Sequence, residues 1–378
     1  MKDDSIDLSG GFFYNLMNDR CRGFFVGVIK LFLFALSLIY YLIVSILIFF
    51  NRIFMCKLDV KVISVGNMTL GGTGKTSLVE YIARCLKGQG HKVAILTRGY
   101  KKKIPNPLPV PARPAGGRQA GKSQIPNCET MGDEPYMLSR NLGDIPVLVD
   151  ADRIRAAGVA IRDYGVDTVI LDDGLQQWKI KKDLEIITID ATNPLGNRHL
   201  LPRGILREPL SGLRRADVFV LTKTNLEPAT QGIKDFLLKV NPQALLVEST
   251  HKPLGFYNIK ELHKSFSPEF LRGKTVALFS AIGGPDSFED LIKNLGAKVG
   301  LSFRFRDHHN YTRKDLERIA KDSKARNIDT VVTTQKDAAK VSALEIEDLG
   351  LQILSLQIEL GITDEQRFRN RLLKLYSL

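Results

Sequence analysis

Hydrophobic positions follow three successive patterns along the chain. From Leu31 to Phe50 the sequence reads LFLFALSLIYYLIVSILIFF, twenty residues without a charge, softened only by serines and tyrosines. At about 1.5 Å rise per residue, a helix of that length matches a hydrocarbon core about 30 Å thick. A helix buried in a soluble core would usually keep a polar side, and this run has none around its circumference. A secretory signal would have a shorter apolar core and a small-residue cleavage site, whereas Asn51-Arg52-Ile53-Phe54 follows here. The run therefore predicts a membrane helix. Arg20, Arg22 and Lys30 precede it and Arg52, Lys57 and Lys61 follow. Charge on both flanks leaves open whether it crosses the bilayer or lies in one leaflet.

After Lys61 short β-branched runs alternate with helical periodicity. Strands are expected at Val62–Val65, Val93–Leu96, Val147–Val149, Thr168–Leu171, Ile186–Ile189 and Val218–Leu221, with helices through Leu78–Leu86 and Arg153–Tyr164. That alternation predicts a mostly parallel sheet covered by helices. Beyond the polar stretch from Asn225 to Asn241, further strands are expected at Thr275–Phe279, Val299–Phe305, Thr330–Thr333 and Ile353–Leu356. The third pattern, Lys101 to Asn127, is rich in proline, glycine and basic residues and predicts a loop.

Composition narrows the partners. Among 378 residues, 54 are Lys or Arg against 41 Asp or Glu, a formal charge of +13. Such an excess fits nucleic acid, an anionic membrane surface or a phosphorylated substrate. No aromatic–basic stacking motif and no helix-turn-helix pattern is visible, so nucleic acid is not expected as a partner. The cysteines Cys21, Cys56, Cys85 and Cys128 lie far apart with no C-x-x-C pair. Their spacing excludes a disulfide framework and a cysteine-based zinc knuckle, and it suits a reducing compartment.

The strand KVISV runs into GNMTLGGTGKTS and then LVEYIARCL, the strand, glycine-rich turn and helix that a P-loop requires. Gly71, Gly72 and Gly74 let backbone N–H groups converge on phosphate oxygens. Lys75 adds a charge near the β- and γ-phosphates, and the Thr76 hydroxyl suits Mg²⁺. The candidate nucleotide-binding residues are Thr69, Leu70, Gly71, Gly72, Thr73, Gly74, Lys75 and Thr76. Thr69 stands where the pattern G-x-x-x-x-G-K-[ST] usually begins with glycine. Across the site a P-loop needs a carboxylate for the metal, and VDTVILDDG offers Asp172 and Asp173 at the end of a strand. An Asx-type bend is the plainer reading of Asp-Asp-Gly, but the P-loop favours metal organisation.

The expected fold is therefore α/β, a P-loop NTPase-like parallel sheet with a second, smaller α/β domain and an N-terminal membrane helix. The expected segments are residues 1–56 for the membrane helix, 57–240 for the nucleotide-binding core and 254–378 for the second domain.

Taken in order, the motifs resemble the tetraacyldisaccharide 4'-kinase (LpxK) family of lipid A biosynthesis. That family's SVGN(L/M)T-x-GGTGKT is matched by SVGNMTLGGTGKT, threonine included. Its other segments are matched by TRGY (Thr97–Tyr100), GDEP (Gly132–Pro135), DDGLQQ (Asp172–Gln177), LPRGILREP (Leu201–Pro209), DHHNY (Asp307–Tyr311) and TTQKDA (Thr333–Ala338). The resemblance covers essentially the whole chain. It implies a kinase that moves the γ-phosphate of ATP, with Mg²⁺, onto the 4'-hydroxyl of an acylated, phosphorylated glucosamine disaccharide. It also implies a membrane-anchored enzyme on the cytoplasmic face of the inner membrane, with a cleft between two α/β domains. By motif, Asp133 is implied as general base with His308 as its partner. Glu134, Arg207, Glu208 and Asp307 are implied to shape the site, and Asp172 and Asp173 to serve the metal. Taken alone, Asp133 reads as a loop carboxylate or helix cap, and His308 with His309 as a solvated strand end. Gln177 stands where the family has histidine, and Gln335 where it has glutamate.

A membrane-tethered GTPase or ATPase switch is the rival reading. GTPases place [NT]-K-x-D at a strand end, where this chain has Thr222-Lys223-Thr224-Asn225. Asn225 lacks the carboxylate that accepts both guanine N–H groups, so guanine selectivity is expected to be poor.

Overall fold

The computed structural model describes residues 11–99, 108–110, 132–227, 229–261, 264–306, 309–341 and 349–377. Helices α1 (Gly11–Met17) and α2 (Phe24–Ile53) precede strand β1 (Lys61–Asn67) and helix α3 (Lys75–Gly88). Strands β2 (Val93–Thr97), β3 (Leu108–Val110), β4 (Val147–Val149), β5 (Thr168–Asp172), β6 (Leu184–Asp190) and β7 (Val218–Thr222) follow. Helix α4 (Asp133–Leu142) lies between β3 and β4 in the chain. The remaining strands are β8 (Leu245–Asn258), β9 (Ser265–Phe266), β10 (Thr275–Ser280), β11 (Lys298–Arg304), β12 (Thr330–Thr334) and β13 (Gln352–Ile362).

Two compact units interleave along the chain. Met1–Lys75, Val166–Ser249 and Ile362–Leu378 form the first, and Thr76–Gly165 with Thr250–Gly361 the second. These bounds differ from the consecutive segments 57–240 and 254–378, because strand neighbours in a sheet need not be neighbours in sequence.

In the first unit β5, β1, β6, β7 and residues Leu245–Ser249 of β8 lie side by side, each pair parallel. Strand β1 is buried from Val62 to Asn67, and β5 throughout. Continuous burial is what strands covered on both faces require, and it explains their unbroken apolar runs. Leu175, Ile187, Phe219, Leu221 and Leu237 share one apolar core. The parallel register sets Val65 beside Asp172 and Asn67 beside Thr188. The carboxyl ends of β1, β5 and β6 therefore share one edge, where open α/β sheets bind ligands.

In the second unit β11, β10, β12 and β13 are parallel, and β9 pairs antiparallel with β8. Separately, β4 pairs parallel with β2 and antiparallel with β3. The periodicity missed strands β3, β8 and β9: β3 lies inside the segment read as a loop, and in β8 Pro253 and Gly255 read as breakers. Gly255 has φ +148°, and an added Cβ would lie 2.3 Å from the Phe266 carbonyl oxygen, so only glycine fits this strand crossing.

Helix α2 runs thirty residues, longer than the uncharged stretch at both ends. Only Ser37 and Val44 are buried in it. Lys30, Leu33, Tyr40 and Ile48 are partly shielded, so covered positions recur every three or four residues along one stripe. The rest of its circumference is exposed and apolar, Phe24, Phe25, Leu31, Phe32, Ile39, Leu42 and Phe49 among it.

Candidate active site

The glycine-rich loop leaves the end of β1 and closes at Lys75, where α3 begins. Gly71 and Gly74 take φ +117° and +74°, a region that disfavours side chains. An added Cβ at Gly71 or Gly72 would meet nothing within 4 Å, so these positions hold open the approach to the loop backbone. Thr69 needs no glycine. It forms an antiparallel bridge with Leu206, and its side chain is buried. On either side of that bridge the Leu70 N–H donates to the Ile205 carbonyl, and the Arg207 N–H to the Met68 carbonyl, each at 2.8 Å. Residues 205–207 thus run antiparallel beside residues 68–70 at the start of the P-loop. Thr73 is fixed by Thr188, with their hydroxyls 2.8 Å apart. Leu70 points outward, 40% exposed.

The charged centre follows from the strand ends. The Lys75 ammonium donates to Asn67 Oδ1 at 3.1 Å and lies 3.5 Å from Asp173 Oδ1. Arg207 Nη1 reaches both oxygens of Asp173, at 2.9 and 2.8 Å. Burial pushes the Asp173 carboxyl up, but Lys75 and Arg207 together outweigh it and hold the group below the usual carboxylate range. Asp173 therefore keeps its charge through neutral and mildly acid pH. The stability it contributes is present above its unfolded pKa and is lost only as pH falls through the lowered folded value. Asp172, the last residue of β5, is buried beside it. Asp173 takes φ +54°, which turns the chain sharply after the strand.

The glycine of Asp-Asp-Gly serves packing. A Cβ on Gly174 would lie 2.6 Å from both Leu171 Cβ and Ser64 Oγ, and one on Gly66 would lie 2.5 Å from Leu175. Glu208 is wholly buried and accepts from Gln176 Nε2 at 3.0 Å and Arg215 Nη2 at 2.7 Å. Its carboxylate is turned into the protein, behind Arg207.

Asp133 and Glu134 fall in the second unit. Asp133 is the first residue of α4, capped by Gly132 at φ +94°, with Glu134 in the same turn and Pro135 buried. Asn141 near the other end of α4 donates to Glu80 of α3 at 2.9 Å. Asp307 and His308 lie outside the described residues. Their neighbour His309 stacks on Phe305, ring centroids 4.7 Å apart, and its Nε2 is 3.1 Å from Asp315. Gln177 donates its N–H to the Gly174 carbonyl at 2.9 Å in the turn after β5. Gln335 lines a cavity of about 220 Å³ with Arg140, Tyr257 and Gln357.

Sequence reasoning passed over Asn67, Thr188, Gln176 and Arg215. Asn67 is buried and bonds both ends of the loop, accepting from Lys75 and donating Nδ2 to the Thr69 carbonyl at 2.8 Å. Asn67 and Gln176 lie inside the motifs SVGN and DDGLQQ, which was the available signal. Thr188 and Arg215 lie in no motif.

Comparison with known proteins gives one family. A family model described as tetraacyldisaccharide-1-P 4'-kinase matches residues 29–377. The tetraacyldisaccharide 4'-kinase of Halothermothrix orenii is 35% identical over 331 residues, covering 83% of this chain and 84% of that protein. The protein of the same description from Elusimicrobium minutum is 36% identical over 316 residues, covering 82% and 81%. Among solved structures, Aquifex aeolicus LpxK in complex with ATP superimposes with a TM-score of 0.72 at 28% identity, covering 92% of this chain and all of that one.

Proposed function

The chain belongs to the tetraacyldisaccharide-1-phosphate 4'-kinase family, and from that premise we propose how its residues divide the work of phosphoryl transfer. The reaction is transfer of the γ-phosphate of ATP to the 4'-hydroxyl of a tetraacyl disaccharide 1-phosphate. The observation that carries the assignment is the convergence of Lys75, Asp173 and Arg207 at the P-loop. Little covalent work falls to the protein in such a reaction, which needs positioning and stabilisation of charge. The loop backbone at Gly71, Gly72 and Gly74 cradles the phosphates, and Lys75 supplies a cation. Arg207, anchored on Asp173, holds a second cation at the same edge. Two carboxylates and a hydroxyl form a hard oxygen donor set that fits Mg²⁺, so Asp172, Asp173 and Thr76 would hold that ion with phosphate oxygens and water. When bound, the ion neutralises charge on the phosphates. By the family's motifs Asp133 would accept the proton of the sugar hydroxyl with His308 as its partner, and Glu134 and Asp307 would shape the site.

Helix α2 associates with the membrane and lies in its plane. Tyr40 stands near the helix midpoint, and its hydroxyl donates to the Arg207 carbonyl at 2.7 Å. The Phe34 ring meets His199 edge-on, centroids 5.7 Å apart. A helix crossing the bilayer would set its midpoint at hydrocarbon depth and carry Arg207, Asp173 and Lys75 there with it, at a cost of several kcal/mol per charge. An in-plane helix avoids that and presents its exposed apolar face to acyl chains. The catalytic units then lie on the cytoplasmic face, where ATP is found. Tryptophans placed singly at Phe25, Ile39 and Phe50, in a Trp178→Phe background, are expected to show one shallow depth by brominated-lipid quenching. A position 39 about 10 Å deeper than the others would mean a spanning helix.

The activity is tested directly by phosphate incorporation from labelled ATP into purified tetraacyl disaccharide 1-phosphate. Transfer is expected, with ATP preferred to GTP because Asn225 replaces the guanine-reading aspartate. Equal use of GTP, or hydrolysis without transfer, would favour the switch reading instead.

A further inference from the structure

We infer that Tyr40 is a positioning residue, through which the membrane-seeking helix holds the P-loop and Arg207 in register for phosphoryl transfer. The inference rests on the kinase reading above. A chain of contacts within the first unit carries it. The Tyr40 hydroxyl donates to the Arg207 carbonyl at 2.7 Å, across 167 positions of sequence. The Arg207 N–H donates to the Met68 carbonyl at 2.8 Å, and on the other side of the Thr69–Leu206 bridge the Leu70 N–H donates to the Ile205 carbonyl. The Arg207 side chain then grips Asp173, which faces Lys75. Arg207 is therefore pinned at its carbonyl by α2, at its N–H by the P-loop and at its guanidinium by the carboxylate of the metal turn.

Other observations separate this from simple anchoring. Tyr40 falls between Ser37 and Val44, the two buried residues of α2, so its phenol faces the protein. Burial, with the nearby Glu208 charge adding to it, raises the Tyr40 pKa, and the hydroxyl stays a donor across the working pH range. Its neighbour Tyr41 is 48% exposed on the apolar side. A shielded tyrosine hydroxyl needs a hydrogen-bond partner, and the Arg207 carbonyl is that partner. The segment 205–207 is also backed on its far edge, where the Leu206 N–H donates to the His199 carbonyl at 3.1 Å. His199 in turn meets Phe34 of α2. Movement of α2 away from the body removes supports from the strand that lines the P-loop.

The test uses the full chain with Tyr40→Phe, which keeps the ring and removes only the donor, and Tyr41→Phe as the control. Activity is measured on substrate dispersed in detergent, where anchoring to a bilayer has no role. One neutral hydrogen bond corresponds to a roughly two- to tenfold effect, so kcat for Tyr40→Phe is expected to fall by that factor while KM for the lipid changes less than twofold. Amide hydrogen exchange, which needs no catalysis, is expected to quicken selectively at Leu70 and Arg207, with the melting temperature unchanged. Tyr41→Phe is expected to match the parent protein in every readout. Combined with Arg207→Ala, which keeps the carbonyl that Tyr40 reaches, Tyr40→Phe is expected to quicken exchange at Leu70 and at position 207 as it does alone, while the part of its kcat loss that runs through the guanidinium is no longer added. An unchanged kcat in detergent with unchanged exchange at those two amides overturns the inference, as does a defect confined to vesicles. A uniform rise in exchange with a lowered melting temperature also overturns it, since that marks a structural role alone. If the parent protein transfers no phosphate, the kinase reading fails, while the exchange result still decides whether Tyr40 holds the P-loop.

Discussion

Lys75→Ala is expected to lower turnover by about 10³-fold or more, the scale seen when a cation that stabilises a transferring phosphoryl group is removed. Lys75 begins α3 and directs its ammonium to the edge shared by Asn67 and Asp173. No other lysine contacts that carboxylate among the described residues, and Arg207 reaches it from the LREP side. Replacement leaves the loop backbone intact: Thr69 keeps its bridge to Leu206, Thr73 its bond to Thr188, and Arg207 still pairs with Asp173. The melting temperature should therefore move by only a few degrees while kcat collapses. Nucleotide affinity, followed by titration with a fluorescent ATP analogue, is expected to weaken less than kcat falls, because the backbone N–H groups continue to hold phosphate. Retained turnover in Lys75→Ala would remove this loop from the catalytic centre.

Asp133→Ala is expected to reduce kcat by roughly 10²–10⁴-fold, the usual contribution of general base catalysis. A sugar hydroxyl is a weak nucleophile, and a carboxylate poised to take its proton meets that need. The backbone places Asp133 at the start of α4, where the helix dipole favours negative charge, and the positive φ of Gly132 turns the chain into that helix. ATP binding should be little altered, since the proposed phosphate contacts are those of Lys75, Thr76 and the loop. If His308 works through Asp133, the double alanine variant should be barely slower than the worse single one, because groups that act as a unit are not additive. Fully multiplicative losses would assign His308 an independent contact. Full activity in Asp133→Ala would remove the base assignment from Asp133 and move it to Asp172 or Asp173.

How much of this was legible in the chain depends on the range of the interaction concerned. The P-loop was readable because its chemistry is local: Gly71, Gly74, Lys75 and Thr76 are contiguous, and strand and helix flank them. The parallel sheet was readable because strands covered on both faces must be apolar without interruption, as in KVISV and TVILD. The long apolar helix was readable from length and composition, and α2 runs from Phe24 to Ile53. Strand β8 was not, because its pairing tolerates Pro253 and Gly255 at a crossing that only three-dimensional neighbours define. The family pattern marked Arg207 and Glu208 alike as site residues, yet the fold turns Arg207 toward Asp173 and buries Glu208 against Gln176 and Arg215. Adjacent side chains on an extended segment point to opposite faces, and which face meets the site is set by the bridge to Thr69. The docking of α2 on the body of the first unit rests on Tyr40 meeting a carbonyl 167 positions away. Sequence by itself determined the local motifs and the strand–helix alternation, because short-range spacing and hydrophobic period carry them. Only the tertiary structure decided which groups share an edge, which are buried behind it and which stripe of α2 is covered, because those contacts join segments whose separation leaves no periodic trace.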